Sequence, residues 1–480
     1  MIAIGDRTFE PVIGLELHVQ LATRSKMFCG CATRFDAAPN TQVCPVCLGF
    51  PGALPVPNRR AVALGARLAL ALGATLHDTS VFDRKSYFYP DLPKGYQITQ
   101  QRRPLATGGE LSIGRPIPLR RLHLEEDAGR SQHGAGGTLV DLNRAGVPLV
   151  ELVTEPALRS PEEAAAFMRQ VRRIVRYLDV SDGNMEQGSL RCDANISLRE
   201  VGSATSGTRV EIKNLNSFRF VSQALAHEIA RHAALLRAGE SVAAETRTFD
   251  ETRGVTAFMR SKEGDHDYRY FPDPDLLPLQ LGPEFFVEQR SALVELPDAR
   301  AARYQADWGL SAYDAGVLTA DRATADWFEE GVAALESPDS ARIKALANLV
   351  MGDVARRLKE SGRTLASLPF GPARLVALNA LVAAGTLSGE QARKVLDVLW
   401  SEDGDPSEIA AAHGWRQVSD ADALDAIVRS VLDDHPDELA KYRAGKTKLR
   451  GFFVGQVMKR SRGAANPKIV NQRLDTLLAE

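Results

Sequence analysis

The 480-residue chain is 44% hydrophobic and 25% charged, with a formal net charge of -2, the composition of a globular protein long enough for about three domains. No apolar run approaches the roughly 20 residues of a membrane span, and the opening MIAIGDRTFE lacks the basic-then-apolar form of a secretory signal. The expectation is therefore a cytoplasmic, unprocessed chain with no membrane association, in a reducing compartment where clustered cysteines point to metal sooner than to disulfides.

Residues 1–295 mix short alternating runs with Gly/Pro-rich turns and a few helical patterns, an α+β reading. In PVIGLELHVQL the period of two puts Ile13, Leu15, Leu17 and Val19 on one strand face and Gly14, Glu16, His18 and Gln20 on the other. A carboxylate and an imidazole then point the same way. Four of the five cysteines follow in CGCATRFDAAPNTQVCPVC. The spacing C-x-C-x12-C-x2-C of Cys29, Cys31, Cys44 and Cys47 lets two close pairs converge on one tetrahedral zinc, whose shell four thiolates would close. Such a site is structural, because no position is left for substrate. The alternative is four unmetallated thiols on a loop.

The run RLHLEEDAG offers Glu125, Glu126 and Asp127, and VPLVELVTEP sets Glu151 and Glu155 among residues that read as buried. Buried acids need partners or a cation. A helix over SPEEAAAFMRQVRRIVRYL is expected, with Ser160 as cap, Pro161 in the first turn and Glu163 completing a capping box. In SLRCDANISL the alternation sends Leu190, Cys192, Ala194, Ile196 and Leu198 inward and Arg191, Asp193, Asn195 and Ser197 outward, so Cys192 reads as a core residue. A second helix runs from about Val221 to Ala238 and stops at Gly239. Oxygen ligands with one imidazole suit magnesium or manganese; for each acid taken singly, a solvated strand face is the plainer reading.

Aromatic and basic residues alternate in FDRKSYFYPDLPKGYQITQ and again in KEGDHDYRYFPDPDL, which suits stacking on nucleotides and equally suits Pro-bounded surface turns. Residues 296–405 turn Ala/Leu/Arg-rich with helical spacing, and residues 406–480 read as a small helical domain ending in a basic segment. Residues 441–480 hold ten Lys/Arg against two Asp/Glu, a surplus of eight positive charges, while the remainder holds 49 basic and 59 acidic residues. That asymmetry fits a polyanion-binding end; a solvated basic face is the alternative. Nucleotide signatures are absent: AKYRAGKT ends like a P-loop but has Ala440 where the first glycine belongs.

The ordered motifs IGLELHVQL, SKMFCGC, CPVCLGFPGALP, FDRKSYFYPDLPKGYQITQ, RLHLEEDAG, DLNRAGVPLVELVTEP, GSLRCDANISLR, EIKNLNSF and DYRYFPDPDL, with FFVGQVMKRSRGAANP in the tail, resemble the B subunits of the aspartyl/glutamyl-tRNA(Asn/Gln) amidotransferases across essentially the whole chain. The resemblance implies a cradle-like mixed α/β catalytic domain over 1–295, an all-α helical domain over 296–405 and a tRNA-binding tail domain over 406–480. It implies ATP-dependent phosphorylation of the side-chain carboxylate of Glu-tRNA(Gln) or Asp-tRNA(Asn), followed by amidation with ammonia. The ammonia would come from a separate amidase (glutaminase) component, A, with a small third component, C, tying the assembly together. Matched residue by residue, Glu16, His18, Glu125, Glu151 and Asp193 would surround a catalytic magnesium. Glu126, Asn195, Lys213 and Asn214 would complete the nucleotide shell. Tyr87 and Tyr89 would meet the acceptor end of tRNA; Lys446, Lys448, Arg450, Lys459 and Arg460 in the basic tail would meet its phosphates. The four cysteines match zinc ligands that only some members carry. Two other classes compete with this reading: a non-catalytic zinc-containing tRNA-binding protein, and a metal-dependent hydrolase, which would leave the basic tail without a role.

Overall fold

The alternation over residues 12–20 becomes the middle of a long strand, β1 (Arg7–Gln20), and the sheet assembles around it. The computed structural model describes residues 1–134, 136–261, 268–416, 421–461 and 465–479; residues 262–267 of the second aromatic segment and 462–464 of the tail motif lie outside them. The described residues form two compact units, Met1–Pro297 and Asp298–Glu480.

In the first unit, six further strands matter for the site: β2 (Pro116–Glu126), β3 (Pro148–Thr154), β4 (Leu190–Glu200), β5 (Val210–Leu215), β6 (Glu245–Asp250) and β7 (Val255–Ser261). Across the sheet they run β7-β6-β5-β4-β1-β3-β2, continued by two short strands. Neighbours are antiparallel except β5 and β6. One face of this sheet is apolar. Ile13, Leu15, Leu17 and Val19 of β1, Leu122 and Leu124 of β2, and Leu190, Cys192, Ala194 and Ile196 of β4 are all buried in a single core. Cys192 is thus a core side chain.

Helices α1 (Arg59–Ala71), α2 (Pro161–Tyr177) and α3 (Phe218–Arg237) supply the rest of that core. The apolar stripe of α2, from Phe167 through Val175, is buried; each such side chain contributes about 1.5–3 kcal/mol by leaving water. Ser160 accepts from the Glu163 amide, but the Glu163 carboxylate turns to the Arg159 amide at 2.7 Å and to Arg115 at 2.6 Å. The expected reciprocal capping box is therefore half formed, the carboxylate accepting from the amide one residue before the cap and from a guanidinium in place of the Ser160 amide. Gly239 ends α3 with φ +74°, a left-handed turn that glycine adopts without strain.

The second unit is helical. Tyr304, Phe328, Phe370, Leu375 and Leu396 belong to one core, to which Ala410 and Trp415 are joined. A separate core further along gathers Leu424, Val428, Phe453, Val457, Val470 and Leu474. The P-loop-like stretch, residues 440–447, begins in the last turn of the helix Pro436–Arg443 and runs past its end, and the element before it is a helix, Ala421–Asp433. Among the described residues, no helix is long and apolar enough to cross a membrane.

Candidate functional site

The face of the sheet opposite the core carries the polar set, and register turns separate sequence motifs into one row. Arg191 of β4 lies opposite His18 of β1, His18 opposite Glu151 of β3, and Glu151 opposite His123 of β2. Two residues along, Asp193 lies opposite Glu16. Directly opposed side chains on one face stand within reach of each other. His18 Nε2 accordingly sits 3.5 Å from Glu125 Oε1 and 3.4 Å from Glu151 Oε2. His123 Nε2 is 3.4 Å from the same Glu151 oxygen and 3.7 Å from Glu125 Oε2.

His18, Glu125 and Glu151 line a cavity of about 480 Å³, within the range of small-ligand sites, and His123 is buried against the two carboxylates without lining it. Its wall also carries Glu16, Asp193, Glu211, Lys85, Arg120, Arg121, Arg209, Lys213 and Arg260, with Tyr268 and Tyr270 at one side. Acids and cations are thus interleaved, as a site for a metal and a polyanionic substrate requires. Burial alone would lower the pKa of His123, but the Glu151 charge and contacts with both carboxylates outweigh it and hold the imidazole up to about 9. His18 is raised in the same way, with burial opposing and Glu151 prevailing. Burial pushes Glu151 up, yet the two imidazoles, His123 foremost, bring it well below the usual carboxylate range. Glu16 moves upward, first because it is buried and then because Glu151 and Asp193 repel its charge.

Of the five residues expected around magnesium, His18, Glu125 and Glu151 offer ligand atoms within 4.8 Å of one another. Ligands about 2.1 Å from an octahedral ion stand roughly 3 Å apart when adjacent, and the 3.4–3.5 Å spacings are close to that. Buried Glu125 Oε1 has no hydrogen-bond partner among the described residues and only the His18 imidazole, at 3.5 Å, as a charged neighbour, an environment that a divalent cation would suit. The other two of the five lie on the same wall but outside that group. Glu16 accepts from Asn195 at 3.1 Å, and Asp193 is paired with Lys213 at 2.6 Å.

Four further residues of these motifs stand apart from the His18, Glu125 and Glu151 group. Glu126 does not join Glu125: consecutive strand residues face opposite ways, and Glu126 lines a second cavity of about 210 Å³ with Lys26, Cys29, Cys47, Lys94 and Tyr96. There it accepts from the Ile98 amide at 3.0 Å and pairs with Lys94. Asn214 is exposed, has φ +64° and donates to Thr248 at 3.0 Å, away from the main cavity's lining. Glu155, read as buried, is a surface partner of Arg120. Asp127 is buried but held by Arg191 at 2.7 Å and Gln20 at 3.0 Å. His123 joins the cluster although the RLHLEEDAG motif was read for its acids alone. The signal was there, since it stands two places before Glu125 and must share its face.

Tyr87 packs edge-on against Tyr89 at 6.0 Å and against Tyr268 at 6.1 Å, and Tyr268 against Tyr270 at 5.9 Å. A line of rings thus leads from the cavity to exposed Tyr89. The four clustered cysteines also converge, their sulfurs within 4.8 Å of one another and those of Cys44 and Cys47 at 3.9 Å. Sulfurs about 2.3 Å from a tetrahedral zinc stand roughly 3.8 Å apart. The Cys47 thiol is drawn down to about 4, chiefly by a hydrogen bond from Cys29; burial opposes this, while the Cys44 amide and the Lys26 charge assist it. In the tail, Arg450 is bidentate to Asp475 at 2.6 and 2.9 Å, and Arg460 pairs with Ser430 and Asp434. Lys446, Lys448 and Lys459 are exposed, and among the described residues no ion pair engages them.

Residues 11–287 match the family model described as the GatB/GatE catalytic domain, and residues 326–478 match the one described as the GatB domain. The chain is 50% identical to a protein of Geobacter sulfurreducens over 476 residues, 97% of this chain and 98% of that one. It is 51% identical to one of Anaeromyxobacter sp. (strain K), over 98% of this chain and 99% of the other. It is also 51% identical to one of Alkalilimnicola ehrlichii, over 97% and 98%. All three are named as B subunits of aspartyl/glutamyl-tRNA(Asn/Gln) amidotransferase. With both family models matched and half of all positions identical over nearly its full length, the chain belongs to the GatB family, that of the amidotransferase B subunits.

Proposed function

We propose that this chain is the tRNA-amidating component of a glutamine-dependent ligase in the cytoplasm. It converts Glu-tRNA(Gln), Asp-tRNA(Asn) or both to the amide forms, with ATP as phosphoryl donor. The observation that carries the reading is the cluster of His18, Glu125 and Glu151, backed by His123, on a cavity wall that also bears Lys213, Arg209 and Arg260. His18, Glu125 and Glu151 would hold magnesium, which when bound neutralises phosphate charge. Glu16 and Asp193 act one step out: Glu16 through Asn195, and Asp193 by holding Lys213 on the cavity wall, where its ammonium would meet the phosphates.

A side-chain carboxylate oxygen of the tRNA-borne amino acid attacks the γ-phosphorus, and ADP leaves. Ammonia nitrogen then attacks the acyl carbon, phosphate leaves with the carbon–oxygen bond pair, and one nitrogen proton is lost. The cavity's lysine and arginines bind and orient the phosphates. Tyr87 and Tyr89 extend the ring line on which the terminal bases of tRNA stack. Residues 1–295 act as the cradle domain; the helical domain, expected over 296–405, extends to about residue 416 because Ala410 and Trp415 belong to its core, and the tail from about residue 421 binds the tRNA body through its exposed lysines. The amidase component A supplies ammonia, and the small component C holds the complex together. A purely tRNA-binding role is not favoured, because acids in an anion-binding cavity are costly unless a cation neutralises them.

Purified complex is expected to form Gln-tRNA(Gln) from Glu-tRNA(Gln), or Asn-tRNA(Asn) from Asp-tRNA(Asn), only with ATP and magnesium present; no amide on either substrate would overturn the reading. For the cysteines, the fit of four sulfurs to a tetrahedral ion supports one structural zinc. One zinc per chain is expected by elemental analysis, with Cys44→Ser losing it while magnesium-dependent activity falls by less than about tenfold. Full zinc in that variant would refute the assignment.

A further inference from the structure

Lys26 is wholly buried, and a buried ammonium needs an anion. Its Nζ lies 3.5 Å from Cys47 Sγ and 3.4 Å from the Leu142 carbonyl, and among the described residues no carboxylate pairs with it. Its own amide donates to the Cys31 carbonyl at 2.9 Å, so one residue touches both cysteine pairs. Around it the packing is close: a Cβ added to Gly146 (φ +88°) would meet Lys26 Cδ at 3.4 Å, Cys47 Cβ at 3.5 Å and Glu126 Oε2 at 3.7 Å. Four thiolates on a divalent ion carry a formal charge of about -2, which is costly to bury without compensation.

We infer that Lys26 is the counter-cation and positioning residue of the four-cysteine metal site, donating to Cys47 sulfur and slowing release of the ion. The ammonium and the tetrathiolate complex each supply the charge that the other lacks. Donors that hold a ligand from behind commonly govern metal affinity by about 10- to 100-fold. The inference rests on the zinc reading above. It leads to a statement about rates of zinc loss, not about catalysis.

The test uses the full chain, zinc-loaded, as wild type, Lys26→Arg, Lys26→Met and Lys26→Gln, with release followed by a chromogenic chelator. Lys26→Met is expected to release zinc about 10- to 100-fold faster than wild type, and Lys26→Arg within about threefold of it. Lys26→Gln keeps a donor without the charge and should fall between. Release from Lys26→Met at the wild-type rate overturns the inference. Should neither neutral variant fold, acetylation of wild-type protein read by mass spectrometry decides: Lys26 protected with zinc bound and modified after chelation supports the inference, and equal protection overturns it. Absence of zinc from wild type would instead refute the zinc reading itself. Zinc lost on Cys44→Ser but released normally from Lys26→Met leaves that reading standing and removes Lys26 from it.

Discussion

Glu125→Ala is expected to lower ATP-dependent amidation of Glu-tRNA(Gln) by about 10²- to 10³-fold, the usual loss when one preorganised electrostatic group is removed from a transition state. The carboxylate is 2% exposed and stands between His18 and His123, with Oε1 accepting no hydrogen bond among the described residues. Without it, two imidazoles face Glu151 alone, and the candidate cation site loses one of its three ligands. The assay should be run with the other components of the complex present and also with ammonium salt in place of glutamine. An equal loss under both supplies places the defect at phosphoryl transfer and not at ammonia delivery. Asn214→Gly, which preserves the left-handed backbone of an exposed residue outside the cavity lining, is expected to stay within about threefold of wild type. A Glu125→Ala enzyme with near-normal turnover would remove this cavity from the reaction.

The second large effect concerns the tail. Lys446, Lys448 and Lys459 replaced together by glutamine are expected to weaken tRNA binding severalfold at low salt. They should reduce the slope of log K against log salt by about two units, from a loss of roughly 0.7–0.9 per phosphate contact. Arg450 and Arg460 are different in kind. Each is committed to an aspartate of its own helical bundle, so Arg450→Gln should lower the tail's melting temperature more than it changes the salt slope. An unchanged slope in the triple lysine variant would deny the tail its role on tRNA. Where a truncation is preferred, it belongs after residue 416, because Ala410 and Trp415 pack in the preceding helical core.

Much of the site's chemistry was legible along each strand taken singly. Alternation placed Glu16 with His18 and Asp193 with Asn195, and it consigned Cys192 to the core; all are where the period of two put them. The cysteine spacing foresaw a converging cluster, and the ordered motifs named the family that the comparisons return. Local signals failed where a neighbour outside the motif competed. Glu163 gave up its capping role to the Arg159 amide and Arg115.

What a strand pairs with is written nowhere within it. His18 meets Glu151 and His123 because β1, β3 and β2 lie side by side, although more than a hundred residues separate the first from the others. Glu125 and Glu126, adjacent and chemically alike, part company for a cavity each. Which side of each strand is polar could be read along the chain, because side-chain direction is a local property of extended backbone. Which polar sides share a cavity could not, because strand order follows from burying distant apolar faces in one core.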